Sequence, residues 1–247
     1  MTLLIRHAVV VPVEPPGLVY DQGWLRTEGT TIAALGPGEP PPSASDDTVI
    51  DANGGLLLPG FVSAHQHLLD VLLRGGVDSG PTFLDWLLGL YYAGMAAYRP
   101  EDAGLATMLG VVETVRAGVT CVVDNWGVDN GSSPARVRAC ADASIAAYRT
   151  SGMRVLFARM FATQIPEAWR SHSSAPLDNL IAGPDECMSA IDDLISSYHG
   201  VDSGRVQVCP SPELPEMVSD EALTMALDVA RANGTVLPMH LLASPES

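Results

Sequence analysis

The chain changes rhythm once along its length. Up to about residue 57, short apolar runs ("LLIRHAVVVPV", "GWLRTEGTTIAALG", "DDTVIDANGGLLLPG") are separated by Gly, Pro and Asp turns, the pattern of brief strands joined by tight connections. Residues 36–47, "GPGEPPPSASDD", are polar and proline-rich and read as a surface loop. Beyond this region, strand-like runs at Leu57–Ala64, Val119–Asp124, Arg154–Met160, Arg205–Pro210 and Thr235–His240 alternate with helical patterns. The helical patterns cover Pro100–Ala117, Pro134–Ser151, Pro184–Tyr198 and Ser219–Asn233. Proline opens and glycine closes several of them, as in "RPEDAGLATMLGVVETVRAG".

Strands alternating with helices predict parallel βα units. The expected fold class is therefore α/β: a small β-rich domain over residues 1–57, followed over 58–247 by the first five strands of a (β/α)8 TIM-type barrel. His65, His67, Asp124, Arg159 and His240 all fall at the carboxyl ends of predicted strands, the face on which such a barrel builds its chemistry. A doubly wound sheet uses the same edge, but no G-x-G-x-x-G follows the first strand. A complete barrel needs eight βα units in about 250 residues, and only five are legible here.

Composition narrows the chemistry. The formal charge is −16 over 247 residues and the pI is near 4.5, which disfavours nucleic-acid backbones and anionic bilayers as partners. All 13 basic residues are arginine. A lysine Schiff base, a phosphate-loop lysine and a lysine-bridged metal pair are thereby excluded from these residues. Cys121, Cys140, Cys187 and Cys209 are dispersed, without a C-x-x-C pair, and read as small apolar residues in a reducing compartment. The first residues lack a cleavable signal pattern, and Phe83–Tyr98, interrupted by Asp85, is too short to span a bilayer. A cytoplasmic protein acting on a small molecule is expected.

The sharpest local feature is His65-Gln66-His67. Strand side chains alternate, so both imidazoles project to one side and Gln66 to the other. Two neutral imidazoles so placed can bind Zn²⁺ or Fe²⁺ at about 2.0–2.1 Å. Alone the pattern also fits two ordinary strand-end histidines. His7 and His199 read as surface residues, and Asp124 as a strand-end hydrogen-bond acceptor.

The surrounding segments add more. "DANGGLLLPGFVSAHQHL", then "LLRGGVD", "FLDWL", "VVETVRAGVTCVVD" (Val111–Asp124) and "ANGTVLPMHL" (Ala232–Leu241) occur in order. Together they resemble the amidohydrolase superfamily, in the branch of cytosine-, guanine- and adenosine-type deaminases and triazine (chloro)hydrolases. The resemblance implies His65 and His67 as metal ligands of the first strand and His240 as that of the fifth. It implies one divalent metal, zinc first and iron(II) second, which lowers the pKa of a coordinated water to about 7. Trp86, Arg159 and His172 lie where relatives place substrate contacts.

The same resemblance exposes two departures. A sixth-strand histidine and an eighth-strand aspartate are expected beyond residue 247. The glutamate that usually follows the fifth-strand histidine by three residues is Ala243 in "HLLASPES", with Glu246 nearby. That glutamate protonates the ring nitrogen in deaminases. Three readings stay open: hydrolytic deamination of an aminated N-heterocycle or cyclic amidine; dehalogenation or amide hydrolysis on the same fold; and a non-catalytic half-barrel, or one completed by a second copy or a companion polypeptide.

Overall fold

The short runs before residue 60 fold into one sheet. β1 (Thr2–Val10), β2 (Tyr20–Glu28), β3 (Thr31–Pro37), β4 (Thr48–Asp51) and β5 (Leu56–Leu57) take the order β3-β2-β1-β4, with β5 also alongside β1. β2 runs antiparallel to β1 and β3, whereas β4 and β5 run parallel to β1. β1 buries Leu4, Ala8 and Val10, and its register against β2 shifts between Ile5 and Ala8 and again between Ala8 and Val10. These residues belong to the first of two units into which the chain divides, Met1–Gly60 and Phe61–Ser247. The computed structural model describes residues 2–76, 82–128, 133–172 and 177–241.

The second unit is built on parallel strands. β6 (Phe61–Gln66) leads through a 3₁₀ segment, Leu68–Leu73, to α1 (Phe83–Trp86), a π-helical turn (Leu87–Tyr91), α2 (Tyr92–Ala97) and α3 (Pro100–Arg116). There follow β7 (Val119–Trp126), α4 (Pro134–Ser151), β8 (Arg154–Phe161), α5 (Glu167–His172), α6 (Pro184–Tyr198), the single turn α7 (Val201–Gly204), β9 (Val206–Pro212) and α8 (Asp220–Ala232). The strands pair in the order β6-β7-β8-β9, all parallel. The β7–β8 register is unbroken from Cys121↔Arg154 to Trp126↔Arg159.

The four longer helices start and stop where the punctuation predicts. Pro100, Pro134 and Pro184 occupy first-turn positions, and the Ser133 and Ser219 side chains accept from Arg136 N and Ala222 N, satisfying orphan donors of the first turn. Gly118 ends α3 at φ +84°, and a Cβ there would sit 3.3 Å from the Phe61 ring. Its backbone N–H in turn donates to Val115 O, and its carbonyl accepts from Phe61 N at 2.9 Å. One glycine thus joins the end of the first long helix to the start of the first barrel strand.

Two expectations are corrected. The run Leu57–Ala64 is not one strand: Pro59 and Gly60 break it, Leu56–Leu57 joins β1, and the parallel sheet starts at Phe61. Thr235–His240 forms no strand. Pro238 has no N–H for a ladder, and the segment meets β9 through the Ser211 hydroxyl, which donates to Pro238 O at 3.0 Å. Among the described residues the parallel sheet therefore has four strands.

The core lies between this sheet and its helices, with Val122, Trp126, Ile145, Tyr148, Phe157, Ile191 and Val208 almost fully buried. Strand parity organises it. Gln66 Oε1 accepts from Thr114 of α3, Asp124 accepts from Tyr148 of α4, and Trp126 Nε1 donates to Ser144 of α4. These positions face the helices, leaving His65, Asn125 and Met160 on the other side. No helix among the described residues is long and apolar enough to cross a membrane. All four cysteines are free.

Candidate metal centre

β6 delivers His65 within the strand and His67 just past its end, two residues on and on the same side. His240 arrives on the irregular segment after α8. One nitrogen from each imidazole lies within 4.8 Å of the others. The His67 and His240 rings are stacked at 5.1 Å with 9° between their planes, and His65 stands edge-on to both at 5.0 and 4.9 Å. His67 Nε2 and His240 Nε2 face each other at 3.0 Å.

Each outer ring nitrogen has its own environment. His240 Nδ1 donates to the Glu213 carbonyl at 2.8 Å, which leaves the lone pair on Nε2. Asn125 Nδ2 lies 2.9 Å from His65 Nδ1. Turning that amide over, an exchange of groups of equal size, presents Oδ1 to an Nδ1 proton and frees His65 Nε2 as a ligand. His67 is largely buried, and a hydrogen bond to the Asn125 backbone favours its charged form against that burial.

Burial favours the neutral form of two of the three rings. Burial, helped by the proximity of His240 and His65, pushes the His67 imidazole down to about 3. Burial lowers His240 as well, against the contrary pull of the bond to Glu213 O. Neutral imidazoles are the form that ligates metals. Two nitrogens on a tetrahedral ion at 2.0–2.1 Å stand about 3.3 Å apart, and somewhat closer at a right angle. The 3.0 Å between the two Nε2 atoms fits a shared ion; without one, the pair must share a proton.

The triad opens on a cavity of about 180 Å³ lined by His65, His67, His240, Phe83, Trp86, Leu87, Tyr91, Met160, Glu213 and Leu214. Trp86 thus joins the histidines, 5.5 Å from the Tyr91 ring. The walls are mainly aromatic and aliphatic, suited to a flat heterocycle. Glu213 sends its side chain to Tyr92, whose hydroxyl donates to Oε1 at 2.5 Å.

Arg159 goes elsewhere. It is buried on the helix side of β8, donates through Nη1 to Met160 O, and lies 5.6 Å from the Trp126 ring. It lines a separate cavity of about 220 Å³ with Phe161, Glu186, Cys187 and Asp193. His172 ends α5, and its side chain lies outside the described residues, as do Ala243 and Glu246. Asp124 is fully buried and accepts from Leu68 N at 3.0 Å and Tyr148 Oη at 2.8 Å. It ties β7 and α4 to the residue after the histidine pair. His199 is less superficial than expected, since its Nδ1 lies 3.2 Å from Val208 N and 3.0 Å from Val208 O.

The sequence reading passed over Asn125, Glu213 and Asp70. Strand parity could have found Asn125, which shares a face with Met160 rather than with Asp124. Asp70 carries no motif; burial, with Asp124 adding to it, raises its carboxyl to about 7.

Known proteins share this fold. The amidohydrolase family model matches residues 56–247. A 5-methylthioadenosine/S-adenosylhomocysteine deaminase of Syntrophomonas wolfei is 28% identical over 215 residues, 87% of this chain and 43% of that protein. A 5'-deoxyadenosine deaminase of Methanosarcina mazei is 26% identical over 97% of this chain and 49% of its own length. Among solved structures, a triazine hydrolase from Arthobacter aurescens superposes with TM-score 0.82 at 22% identity, covering 97% of this chain and 52% of its own. A zinc-bound adenosine deaminase from Xanthomonas campestris gives 0.72 at 24% identity, over 99% and 50%. The chain spans about half the length of the curated relatives it matches.

Proposed function

Because the chain belongs to the amidohydrolase family, we propose that it supplies the metal-binding side of a (β/α) barrel that removes an amine from an aminated N-heterocycle by hydrolysis. The observation that carries this is the convergence of His65, His67 and His240 on an apolar cavity walled by Trp86, with burial favouring the neutral form of His67 and His240. The relatives named for adenosine-type substrates favour a 6-aminopurine nucleoside with a modified 5' position.

His65, His67 and His240 would hold one divalent ion, zinc by preference and iron(II) as the alternative. Such an ion supplies Lewis acidity and brings a coordinated water near neutral pKa. The chain's own residues do the rest. The Glu213 carbonyl and Asn125 fix two of the imidazoles, Phe83, Trp86 and Tyr91 offer faces on which a heterocycle stacks, and Leu87, Met160 and Leu214 keep bulk water from the reacting carbon.

The activity is proposed for an assembly in which further βα units close the barrel, on a continuation of the polypeptide, a second copy or a companion chain. Phe61 and Val62 on edge strand β6 are 55% and 67% exposed, and Leu105, Leu109 and Val112 form an exposed apolar ridge on α3. A bare parallel edge flanked by apolar side chains invites pairing. Arg159 lies on the helix side of β8, away from the triad, so Trp86 is the first substrate contact to test and His172 the second. A cytoplasmic setting suits this chemistry.

Ala243, in place of the usual glutamate, favours a second reading: hydrolysis that needs no ring protonation, such as dehalogenation or amide cleavage. One panel separates them. The zinc-loaded protein is given 5'-modified adenosines, cytosine, guanine and a chlorotriazine, and ammonia and chloride release are followed. Ammonia from an aminated ring, lost in His67→Ala, supports deamination. Chloride without ammonia supports the second reading, and the absence of both from a closed assembly contradicts the two together.

A further inference from the structure

Among the described residues that line the triad cavity, Glu213 alone carries a carboxylate. Apart from the three histidines, the other walls are the aromatic and aliphatic side chains of Phe83, Trp86, Leu87, Tyr91, Met160 and Leu214. An acid in such surroundings needs hydrogen-bond donors, and an occupant of the cavity is one source of them.

Strand register places Glu213 on the triad side. Met160 and Ser211 are partners in the β8–β9 ladder, and paired residues of neighbouring strands point to one face of the sheet. Met160 lines the cavity, and the Ser211 hydroxyl reaches Pro238 O on the segment that carries His240. Glu213 N donates to Phe161 O at 3.0 Å, which carries the ladder one residue past Pro212, so Glu213 keeps the face of Ser211. Two contacts then hold it. Its carbonyl accepts from His240 Nδ1 at 2.8 Å, and its Oε1 accepts from the Tyr92 hydroxyl at 2.5 Å, a length typical of a hydroxyl donating to an ionised carboxylate. Tyr92 is buried on α2, with its ring 5.6 Å from that of Tyr91. One phenolic proton engages one of the roughly four acceptor positions of a carboxylate.

We propose that Glu213 is a specificity-determining residue of this cavity. Its carboxylate accepts a hydrogen bond from an N–H or O–H group of the substrate, either an amino or ring N–H of the heterocycle or a hydroxyl of an attached sugar. A flat ring that fills the cavity strips water from the carboxylate. A substrate with a donor at that wall replaces the water, whereas one without it strands a desolvated charge. Sites built around a buried polar group reject analogues that lack its partner far more strongly than apolar walls reject a change of one methylene. The inference rests on the reading of the cavity as a substrate site for aminated heterocycles.

The test is calorimetric titration of the zinc-loaded chain with two ligand pairs: adenosine against 2',3'-dideoxyadenosine, and 2,6-diaminopurine against adenine. The wild type is expected to prefer the donor-bearing member of one pair by about 10–100-fold, and the pair that shows it identifies the donor as sugar hydroxyl or ring amine. In Glu213→Leu the preference should vanish through lost affinity for the donor-bearing member, and in Glu213→Gln it should shrink. The glutamine variant, close in shape, carries the test if the leucine variant does not fold by circular dichroism. Tyr92→Phe breaks the same bond to α2 but keeps the carboxylate, and should keep the preference. Equal wild-type affinities within both pairs, a preference that survives in both Glu213 variants, or one lost as fully in Tyr92→Phe as in Glu213→Leu overturns the inference. The last result would make Glu213 an anchor for α2 alone. A wild-type chain that binds none of the four ligands contradicts the substrate reading itself, and the inference with it.

Discussion

Asp124 offers a quantitative test of how the histidine pair is held in place. Its carboxylate is fully buried and bonded to Leu68 N and Tyr148 Oη. Burial raises its pKa from 3.8 to about 6, against the pull of those two bonds. Below pH 3.8 the folded and unfolded chains both hold the proton, and the group has no net effect. Between 3.8 and about 6 only the folded chain holds it, so stability falls by about 1.4 kcal/mol per pH unit. Above that the full loss, on the order of 3 kcal/mol, is in place.

Asp124→Asn keeps an oxygen for Leu68 N–H and a donor for the Tyr148 oxygen while removing the ionisable group. Relative to wild type it should gain about 1 kcal/mol per unit from pH 5 to 6 and nothing further above pH 7. The Asp124 charge also helps to raise the Asp70 carboxyl, so its removal acts with the same sign there. Asp124→Ala leaves two buried donors unpaired at about 1–3 kcal/mol each and should lie below Asp124→Asn at every pH. Urea unfolding of chelator-treated protein from pH 5 to 8, followed by circular dichroism, measures all three. Parallel curves for wild type and Asp124→Asn would refute the burial argument, and equal stability of the alanine and asparagine variants would refute the role of the two bonds.

Three further outcomes follow from the same contacts. Asn125→Leu takes away the partner of His65 Nδ1 and should weaken zinc about 10–100-fold with little change in metal-free stability, read by chelator competition and thermal unfolding. At Gly110 an added Cβ would sit 3.0 Å from Leu68 Cβ, so Gly110→Val should cost about 1–3 kcal/mol and displace the turn after the histidine pair, lowering zinc affinity as well. Tyr98→Phe leaves Leu69 O without its 2.6 Å bond and should cost on the order of 1 kcal/mol in unfolding experiments.

What was legible in the sequence follows from what leaves a local trace. Helix ends did, because Pro at the first turn, Ser at the cap and Gly past the end act within a few residues; α3, α4 and α6 begin at the proline that announces them. The His65–His67 pair did, because strand alternation alone puts both rings on one side. Arg159 did not: β8 is buried on both faces from Phe157 to Phe161, so hydrophobicity could not say which parity faces the triad, and only the contacts with α4 residues put Arg159 on the helix side. The segment Thr235–His240 looked like a strand by composition, but Pro238 has no N–H for a ladder, and the segment forms none with β9. Asp70 was invisible because what marks it is burial, with Asp124 nearby, raising its carboxyl to about 7, and nothing in "HLLD" announces that.

The central claim is that His65, His67 and His240 form one metal site, and metal stoichiometry tests it most directly. Protein produced with zinc and purified without chelator should carry one zinc per chain by plasma mass spectrometry. X-ray absorption should show a nitrogen shell near about 2.0 Å with the outer scattering of imidazole rings, and the zinc should be lost on substitution of any of the three histidines by alanine. Metal that is absent, or that stays bound at the same stoichiometry after all three histidines are replaced, would contradict the account.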